Sequence, residues 1–250
     1  MRTKPKFLVL CGDGINCERE TANALSMAGA ATRTIHINQL TERATLLDDV
    51  QGLALPGGFS FGDELGSGQI LALKLRHSLH DQLLELIAKK RAVIGICNGF
   101  QVLVRLNILP GPAGDRFLTL THNRQNKFLD RWVNLEVEQS SCCLWTQGIT
   151  SPFKLPVRHG EGRVVVAPGS EERWQQLVTK GQIALRYSSD INGSYQQVAG
   201  ICDPSGMVLG LMPHPEVAIH PQTVSGTTDH QQWGAGFTIF KKMVNHLLQI

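Results

Sequence analysis

Cysteine occurs in this chain without the spacings that make it structural or metal-binding. Six cysteines stand at positions 11, 17, 97, 142, 143 and 202 of 250 residues, and no two of them form a CxxC pair. A chain of this length can bury a stabilising core without disulfides, and the uneven spacing is not that of a disulfide framework. We therefore expect reduced thiols.

Basic stripes and long apolar runs are missing too. The chain has 24 Lys and Arg against 21 Asp and Glu, a net charge of +3, and its basic residues are scattered rather than interleaved with aromatic ones. Nucleic-acid binding has little support in such a pattern. The basic start, Met1–Lys6, precedes an apolar run, Phe7–Cys11, that is too short for a signal peptide or a membrane span. We expect a cytoplasmic protein without a nucleic-acid or membrane partner.

What the chain does contain is an alternation of apolar strands and helices. Phe7–Leu10 is an apolar run before a glycine-rich turn, and Glu18–Ala28 has apolar residues at helical spacing up to Gly29. Further strands are predicted at Thr32–Ile37, Gly52–Leu55 and Ala92–Ile96, and further helices at Gln69–Leu86, Gly99–Leu106 and Gly236–Leu248. This alternation predicts an α/β fold with an open, mostly parallel sheet and flanking helices.

The character of the sequence changes after Pro110. Trp132–Val137 alternates between apolar and polar residues, and short apolar runs broken by Gly, Pro, Asn and Ser continue to about Pro204. Gln197–Cys202 and Met207–Met212 form a hairpin pattern, so we expect an added antiparallel section. No repeat, low-complexity tract or linker divides the chain, which favours a single domain over residues 1–250.

Cys97 lies in the segment that carries the most chemical information. The segment Gly95-Ile96-Cys97-Asn98-Gly99 follows a buried strand and precedes a helix, which is the pattern of a nucleophile elbow with Cys in place of Ser. A helix N-terminus favours a thiolate and offers free N–H groups to an oxyanion. A buried structural cysteine at the end of a parallel strand would show the same pattern, so other features must decide.

His214 and Glu216 supply the groups that a thiol nucleophile needs. A thiol requires a general base, and the base requires an acceptor on its other ring nitrogen. Pro215 favours extended backbone at His214, which places the side chains of His214 and Glu216 on the same side of the chain. The alternative interpretation is a rigid surface turn after a strand.

A glycine-rich loop, Pro56–Asp63, follows another buried strand. The pair Gly57 and Gly58 lets backbone N–H groups face the crevice at the carboxyl end of the sheet, where an oxyanion hole needs a second donor loop. A simple tight turn is the alternative. We expect no phosphate cradle, because no G-x-x-x-x-G-K-[ST] pattern follows. We also expect no metal site, because the histidines lack ligand spacing and the deaminase Pro-Cys-x-x-Cys is missing.

The loop, the elbow and the His-x-Glu pair, in this order, resemble the class I glutamine amidotransferases, whose triad is Cys, His and Glu. The chain is most similar to the glutaminase subunits or domains of phosphoribosylformylglycinamidine synthase, an enzyme of purine biosynthesis. Matching stretches extend from the first strand to the last hairpin, namely Gly14–Thr21, Pro56–Gly68, Gly95–Gln101, Trp132–Ser140, His159–Arg163, Leu185–Tyr187 and Gly210–Glu216.

This resemblance implies a role for each matching residue. Cys97 would be the nucleophile, His214 the base and then the acid, and Glu216 the group that orients His214. The implied substrate-binding residues are Gly57, Gly58, Phe59, Asn98 and Gln101, of which Gly58, Phe59 and Asn98 would supply oxyanion donors. The chain departs from the family pattern at Asn123–Phe128 and at Val217, which puts glutamine or partner contacts there in doubt.

The resemblance also implies partners. The chain has no cofactor of its own, because ATP and Mg are expected on a large synthetase subunit that receives the ammonia and converts formylglycinamide ribonucleotide; a small third subunit often joins them. Two other functions remain open. One is a free-standing cysteine hydrolase of the γ-glutamyl hydrolase or peptidase type, and the other is a non-enzymatic sensor that oxidises its elbow cysteine. Neither Cys142-Cys143 nor the loop from His220 to Trp233 has an assigned role.

Overall fold

Alternating strands and helices build one large sheet in the computed structural model, which describes residues 3–111, 116–149, 152–223 and 233–250. The strands are β1 Lys6–Cys11, β2 Ala31–His36, β3 Gly52–Leu55, β4 Ala92–Ile96, β5 Leu118–Thr121, β6 Leu129–Val137, β7 Phe153–His159, β8 Arg163–Val166, β9 Ile183–Tyr187, β10 Val198–Cys202 and β11 Val208–Leu211. The helices are α1 Glu18–Ala28, α2 Ile37–Glu42, α3 Gln69–Ala88, α4 Asn98–Arg105, α5 Glu171–Thr179 and α6 Ala235–Gln249.

Nine strands form the sheet in the order β2-β1-β3-β4-β11-β10-β9-β6-β7. The first five are parallel to one another. Every residue of β3, β4 and β11 is buried, which is why these strands read as continuous apolar runs rather than alternating ones. The predicted α/β fold with a mostly parallel sheet is confirmed.

The other four strands form the antiparallel section that the hairpin pattern predicts. Although β7 is the last strand of the sheet, its Pro156 carbonyl accepts a hydrogen bond from the His214 N–H, which follows β11, at 2.9 Å. The antiparallel section therefore bends back and brings β7 to the carboxyl end of the parallel strands. β5 and β8 pair separately as a small two-stranded sheet.

Helix prediction succeeded where apolar residues mark a buried face. α1 has the predicted bounds and ends at Gly29 in the left-handed conformation. α5 was missed because it buries only Trp174 and Leu177 and is otherwise polar. The predicted strand Thr32–Ile37 ends one residue early, because the His36 ring accepts a hydrogen bond from Asn38 N–H and caps α2 there.

The fold brings three predicted segments to one edge of the sheet. Parallel β3, β4 and β11 end side by side, so the glycine-rich loop, Cys97 and His214 all follow strand ends at the same edge. The Cys97 N–H donates to the Leu211 carbonyl at 2.8 Å, which fixes the two chain segments to each other. No described helix is long and apolar enough to cross a membrane. The single domain expected over residues 1–250 stays a prediction.

Candidate active site

Cys97 occupies a strained turn between β4 and α4. Its backbone has φ 50° and ψ −103°, a conformation that L-residues rarely adopt. The turn depends on glycine, because a Cβ at Gly99 would lie 1.9 Å from the Leu55 carbonyl oxygen, and one at Gly95 would lie 2.6 Å from the Gly99 carbonyl oxygen. The Gly-x-Cys-x-Gly spacing is therefore a steric requirement of an elbow.

The Cys97 thiol is buried at the N-terminus of α4, which begins at Asn98. Its Sγ donates a weak hydrogen bond to the Arg158 carbonyl of β7 at 3.6 Å. That strand reaches the elbow only because the antiparallel section bends back. The thiol thus lies where a helix N-terminus favours negative charge on sulfur.

His214 and Glu216 form a buried pair beside Cys97. His214 Nδ1 lies 2.6 Å from Glu216 Oε1, and both side chains are almost inaccessible to solvent. His214 is extended, as predicted, with φ −104° and ψ 90°. Glu216, by contrast, lies in a 3-10 turn, Pro215–Val217. The expectation that an extended chain aligns the two side chains is thus wrong in detail, because Pro215 starts a turn that brings the carboxylate to the ring.

The hydrogen bond to Glu216 decides what His214 can do. A proton on Nδ1 that is shared with a carboxylate leaves Nε2 as the free acceptor of the neutral ring. His214 Nε2 is buried and has no hydrogen-bond partner among the described residues. Burial alone would lower the pKa of His214, but the Glu216 carboxylate and the Cys97 and Cys17 thiols outweigh it and raise the pKa well above the usual value. His214 therefore binds a proton that moves from the Cys97 thiol to Nε2 more strongly than an ordinary histidine would.

The glycine-rich loop meets the triad directly. A Cβ at Gly57 would lie 2.7 Å from Cε1 of His214, so the loop packs against the His214 ring. Gly58 has φ +143°, and the Phe59 N–H donates to the Gly14 carbonyl at 2.7 Å. The predicted oxyanion donors therefore reduce to the N–H groups of Gly58 and Asn98. Phe59 instead exposes its ring, 6.2 Å from that of Phe128.

Asn98 fastens this loop to the elbow helix. Its Oδ1 accepts hydrogen bonds from the N–H and the hydroxyl of Ser60, at 3.2 and 2.6 Å. Its Nδ2 donates to Asp63 Oδ1 at 2.9 Å, and Asp63 in turn accepts the Ser67 hydroxyl. Burial raises the pKa of the Asp63 carboxyl, against the hydrogen bonds that it accepts from Ser67 and its neighbours. The relative position of the two predicted donor loops thus depends on this side chain.

Gln101 lies one turn further along α4 and is buried. Its Oε1 accepts from Asn98 Nδ2 at 3.0 Å, and its Nε2 donates to the Glu161 carbonyl at 2.6 Å. Glu161 Oε2 in turn accepts the Ser67 N–H at 3.3 Å. Gln101 therefore connects the elbow helix to the loop after β7, and its contact with substrate stays a prediction.

Two residues near the triad were missed by sequence reasoning because only the folded chain brings them there. His159 is buried, and its pKa falls to about 3, first because of burial and second because of His214. Tyr187 is fully buried, and its hydroxyl has no described partner. Burial raises the pKa of Tyr187, and the nearby Cys97 adds to the shift.

Cys17 was expected only to be a reduced thiol, yet it lies beside His214. Ligand atoms of Cys17, His214 and Glu216 lie within 4.8 Å of one another. A metal ion there would compete with the hydrogen bond of 2.6 Å between His214 and Glu216. The expectation that the chain needs no metal stays a prediction.

The segment Asn123–Phe128 is hydrogen-bonded to the loop after β7 through its first residue, Asn123. Asn123 is fully buried, and its Nδ2 donates to the carbonyls of His159 and Lys127. Its Oδ1 lies 3.1 Å from His159 Nδ1. The segment therefore supports the loop after β7. Most of the unexplained loop from His220 to Trp233 lies outside the described residues.

A strained thiol at a helix N-terminus, a buried His–carboxylate pair and a second donor loop define the class of nucleophile-elbow thiol hydrolases on an open α/β sheet. The family model of the CobB/CobQ-like glutamine amidotransferase domain matches residues 4–247. The chain therefore belongs to the CobB/CobQ-like glutamine amidotransferase family.

Known proteins agree with this assignment over most of the chain. Phosphoribosylformylglycinamidine synthase subunit PurQ of Methanococcus maripaludis is 39% identical over 235 residues, 88% of this chain and 85% of that protein. Subunit PurQ of Treponema denticola is 37% identical over 272 residues, 98% and 100% of the two chains. The structure of PurLQS from Thermotoga maritima contains a chain with 30% identity and a TM-score of 0.77, covering 98% of this chain and 100% of that one.

Proposed function

We propose that this chain is the glutaminase subunit of a phosphoribosylformylglycinamidine synthase and works in purine biosynthesis. The observation that carries the proposal is the elbow thiol of Cys97 beside the buried His214–Glu216 pair. Within that pair, His214 Nδ1 lies 2.6 Å from Glu216 Oε1. Two relatives that carry the PurQ name match this chain over at least 88% of its length, at 37% and 39% identity.

The reaction begins with transfer of the Cys97 proton to His214 Nε2. The thiolate sulfur attacks the side-chain amide carbon of glutamine, and the N–H groups of Gly58 and Asn98 stabilise the resulting oxyanion. His214 returns its proton to the amide nitrogen, the C–N bond breaks, and ammonia leaves a glutamyl thioester on Cys97. Glu216 accepts a hydrogen bond from the Nδ1–H of His214 throughout and keeps the ring in the active tautomer.

Water then completes the cycle. His214 Nε2 removes a proton from the water, whose oxygen attacks the thioester carbon, and the C–S bond breaks to give glutamate and the free thiol. Gln101, at the mouth formed by α4 and the loop after β7, holds the substrate in this scheme. Burial of the triad limits competing access of bulk water.

The ammonia is consumed by a partner in this proposal. The partner is the large synthetase subunit, which binds ATP and Mg and converts formylglycinamide ribonucleotide to the amidine; a small third subunit completes the complex. The PurLQS name of the Thermotoga maritima structure supports an assembly of this kind. The cytoplasmic location predicted from the sequence belongs to the same proposal.

Ammonia release from glutamine tests the proposal. We expect slow release by the isolated chain, release stimulated at least tenfold by the synthetase subunit with its nucleotide substrates, and no release by Cys97→Ala. Cys11→Ala serves as the matched control, because Cys11 is a partly exposed thiol at the end of β1.

Each rival function has its own outcome in this assay. Brisk release without a partner, unchanged when the partner is added, indicates a free-standing hydrolase. Release that survives Cys97→Ala contradicts the thiol mechanism. A sensor would release no ammonia in either state, and its elbow cysteine would not require the His214–Glu216 hydrogen bond.

A further inference from the structure

Three cysteines outside the proposed reaction gather at the amino edge of the sheet. Cys202 ends β10 and lies opposite Leu209 of β11. Cys97, by contrast, follows β4 at the edge where β11 ends with Leu211. Cys142 and Cys143 come from the segment after β6. The cluster is therefore at the opposite edge of the sheet from the catalytic thiol.

Two of these thiols face each other from fixed backbone positions. Cys142 Sγ lies 3.6 Å from Cys202 Sγ. The Cys142 N–H donates to the Gly181 carbonyl and the Cys202 N–H donates to the next carbonyl, that of Gln182, both at 2.8 Å. A disulfide bond measures about 2 Å between sulfurs. Consecutive carbonyls hold the backbones of both cysteines, so the sulfurs start about 1.6 Å further apart than in a disulfide.

The two thiols also differ in access. Cys142 is partly exposed, whereas Cys202 and Cys143 are buried. The hydrogen bond from Cys202 lowers the pKa of Cys142 against the effect of burial, and hydrogen bonds to Cys142 and Cys143, with burial, raise the pKa of Cys202. An oxidant therefore reaches the more acidic thiol, that of Cys142, first. The buried Cys202 thiol lies next to it.

We propose that Cys142 and Cys202 form a reversible intramolecular disulfide when the protein meets a peroxide. The Cys142 thiolate attacks one peroxide oxygen, and the O–O bond breaks. The other oxygen departs as water, and Cys142 is now a sulfenic acid. The Cys202 sulfur then attacks Cys142 Sγ, the S–O bond breaks, and a second water leaves. Two thiols lose two electrons and two protons, and hydrogen peroxide is reduced to two waters. A small dithiol reverses the reaction by exchange.

Peptide mapping of the peroxide-treated full chain tests this proposal. The protein is treated with hydrogen peroxide, its remaining thiols are alkylated, and it is digested without reduction. Trypsin leaves Cys142 and Cys143 together in the peptide 132–154 and Cys202 alone in 187–241. We expect these two peptides to be linked with the loss of two hydrogen atoms and to separate after treatment with dithiothreitol.

Single serine variants assign the link. We expect Cys143→Ser and the control Cys11→Ser to keep it, and Cys142→Ser to lose it. Cys142→Ser is the decisive variant because its site is partly exposed, and its circular dichroism spectrum and Tm check that it folds. The proposal is overturned if the wild type yields no link, or if Cys142→Ser still links peptide 132–154 to 187–241.

Discussion

Buried polar groups at the two ends of β11 differ in whether their hydrogen bonds are satisfied. Before β11, the buried Asp203 carboxylate accepts hydrogen bonds from the Ser205 N–H and hydroxyl and from the Val208 N–H. After β11, the buried His214 Nε2 and Glu216 Oε2 have no described partner. Unpaired buried polar atoms cost stability. The paired polar groups at the amino end of the strand therefore stabilise the fold. The unpartnered atoms of His214 and Glu216 at the carboxyl end lower the stability but stay free for chemistry.

Glu216→Gln is the substitution expected to have the largest effect on activity. An uncharged amide no longer stabilises the imidazolium, so we expect kcat/KM for ammonia release to fall on the order of 10³-fold or more. The free energy of unfolding should change less than for removal of the Asp203 carboxylate, because the amide oxygen of glutamine can still accept the hydrogen bond from His214 Nδ1. Steady-state kinetics and urea unfolding of the same preparations check both expectations. A variant with near-normal kcat/KM would show that the polar groups after β11 are not kept free for chemistry.

Asp203→Ala should show the reverse behaviour. Removing the carboxylate leaves the buried Val208 N–H and the two partly buried donors of Ser205 without their acceptor, so we expect the free energy of unfolding to fall by about 3 kcal/mol. Activity per folded molecule should be retained. Urea unfolding measures the loss, and Asp130→Ala is the control, because Asp130 is exposed and forms a surface ion pair of 3.6 Å with Arg158. Equal stabilities of the two variants would refute the structural role of the turn.

Gly57→Ala should affect the site through geometry alone. The added methyl group would lie 2.7 Å from His214 Cε1, so the ring must shift, and we expect kcat to fall about 10- to 100-fold. Gly160→Ala is the matched control, because Gly160 is outside the left-handed region and the nearest atom to its added Cβ would be Phe128 Cδ2 at 3.9 Å. Kinetics that are equally impaired in both variants would show that loss of glycine, rather than contact with His214, is responsible.

His159 predicts a dependence of stability on pH rather than an effect on activity. Its pKa is lowered from 6.5 to about 3, so the unfolded chain binds a proton in that range that the folded chain does not. Stability must therefore fall as the pH drops from 6.5 towards 3, by at most about 1.4 kcal/mol per pH unit. His214, whose pKa is raised, acts in the opposite direction, because the stability that it contributes is lost as the pH rises above 6.5.

His159→Asn isolates this contribution. The asparagine amide can still donate to Asn123 Oδ1, the partner of His159 Nδ1, but it does not titrate. Urea unfolding at about pH 6.5 and about pH 4.5 should show a smaller acid loss for the variant than for the wild type. Parallel losses would mean that His159 takes up its proton in the folded state.

Sequence reasoning reached the features that depend on local pattern. β3 and β4 have the predicted bounds because both faces of each strand are buried and bounded by turns. The elbow at Cys97 and the His214–Glu216 hydrogen bond were predictable because both belong to short motifs. The free Phe59 N–H was predicted wrongly, because its acceptor, Gly14, belongs to a distant loop.

What could not be predicted comes from long-range packing. β7 supplies the Arg158 carbonyl to Cys97 and the Pro156 carbonyl to His214 only because the antiparallel section bends back. Cys17 reaches His214 from the loop before α1, and Asn98 connects to Ser60 across 38 residues. No local periodicity encodes these contacts, since each depends on the register of strands that are far apart in the chain.

Covalent labelling tests the central claim most directly. An electrophilic glutamine analogue, such as a γ-chloroketone or diazoketone, is incubated with the wild type, Cys97→Ala and Cys17→Ala, each with the synthetase subunit, and intact mass and peptide mapping locate the adduct. The account predicts one adduct on Cys97 in the wild type and in Cys17→Ala, slowed by glutamine, and none in Cys97→Ala. An adduct on Cys17, or labelling that glutamine does not slow, would contradict it.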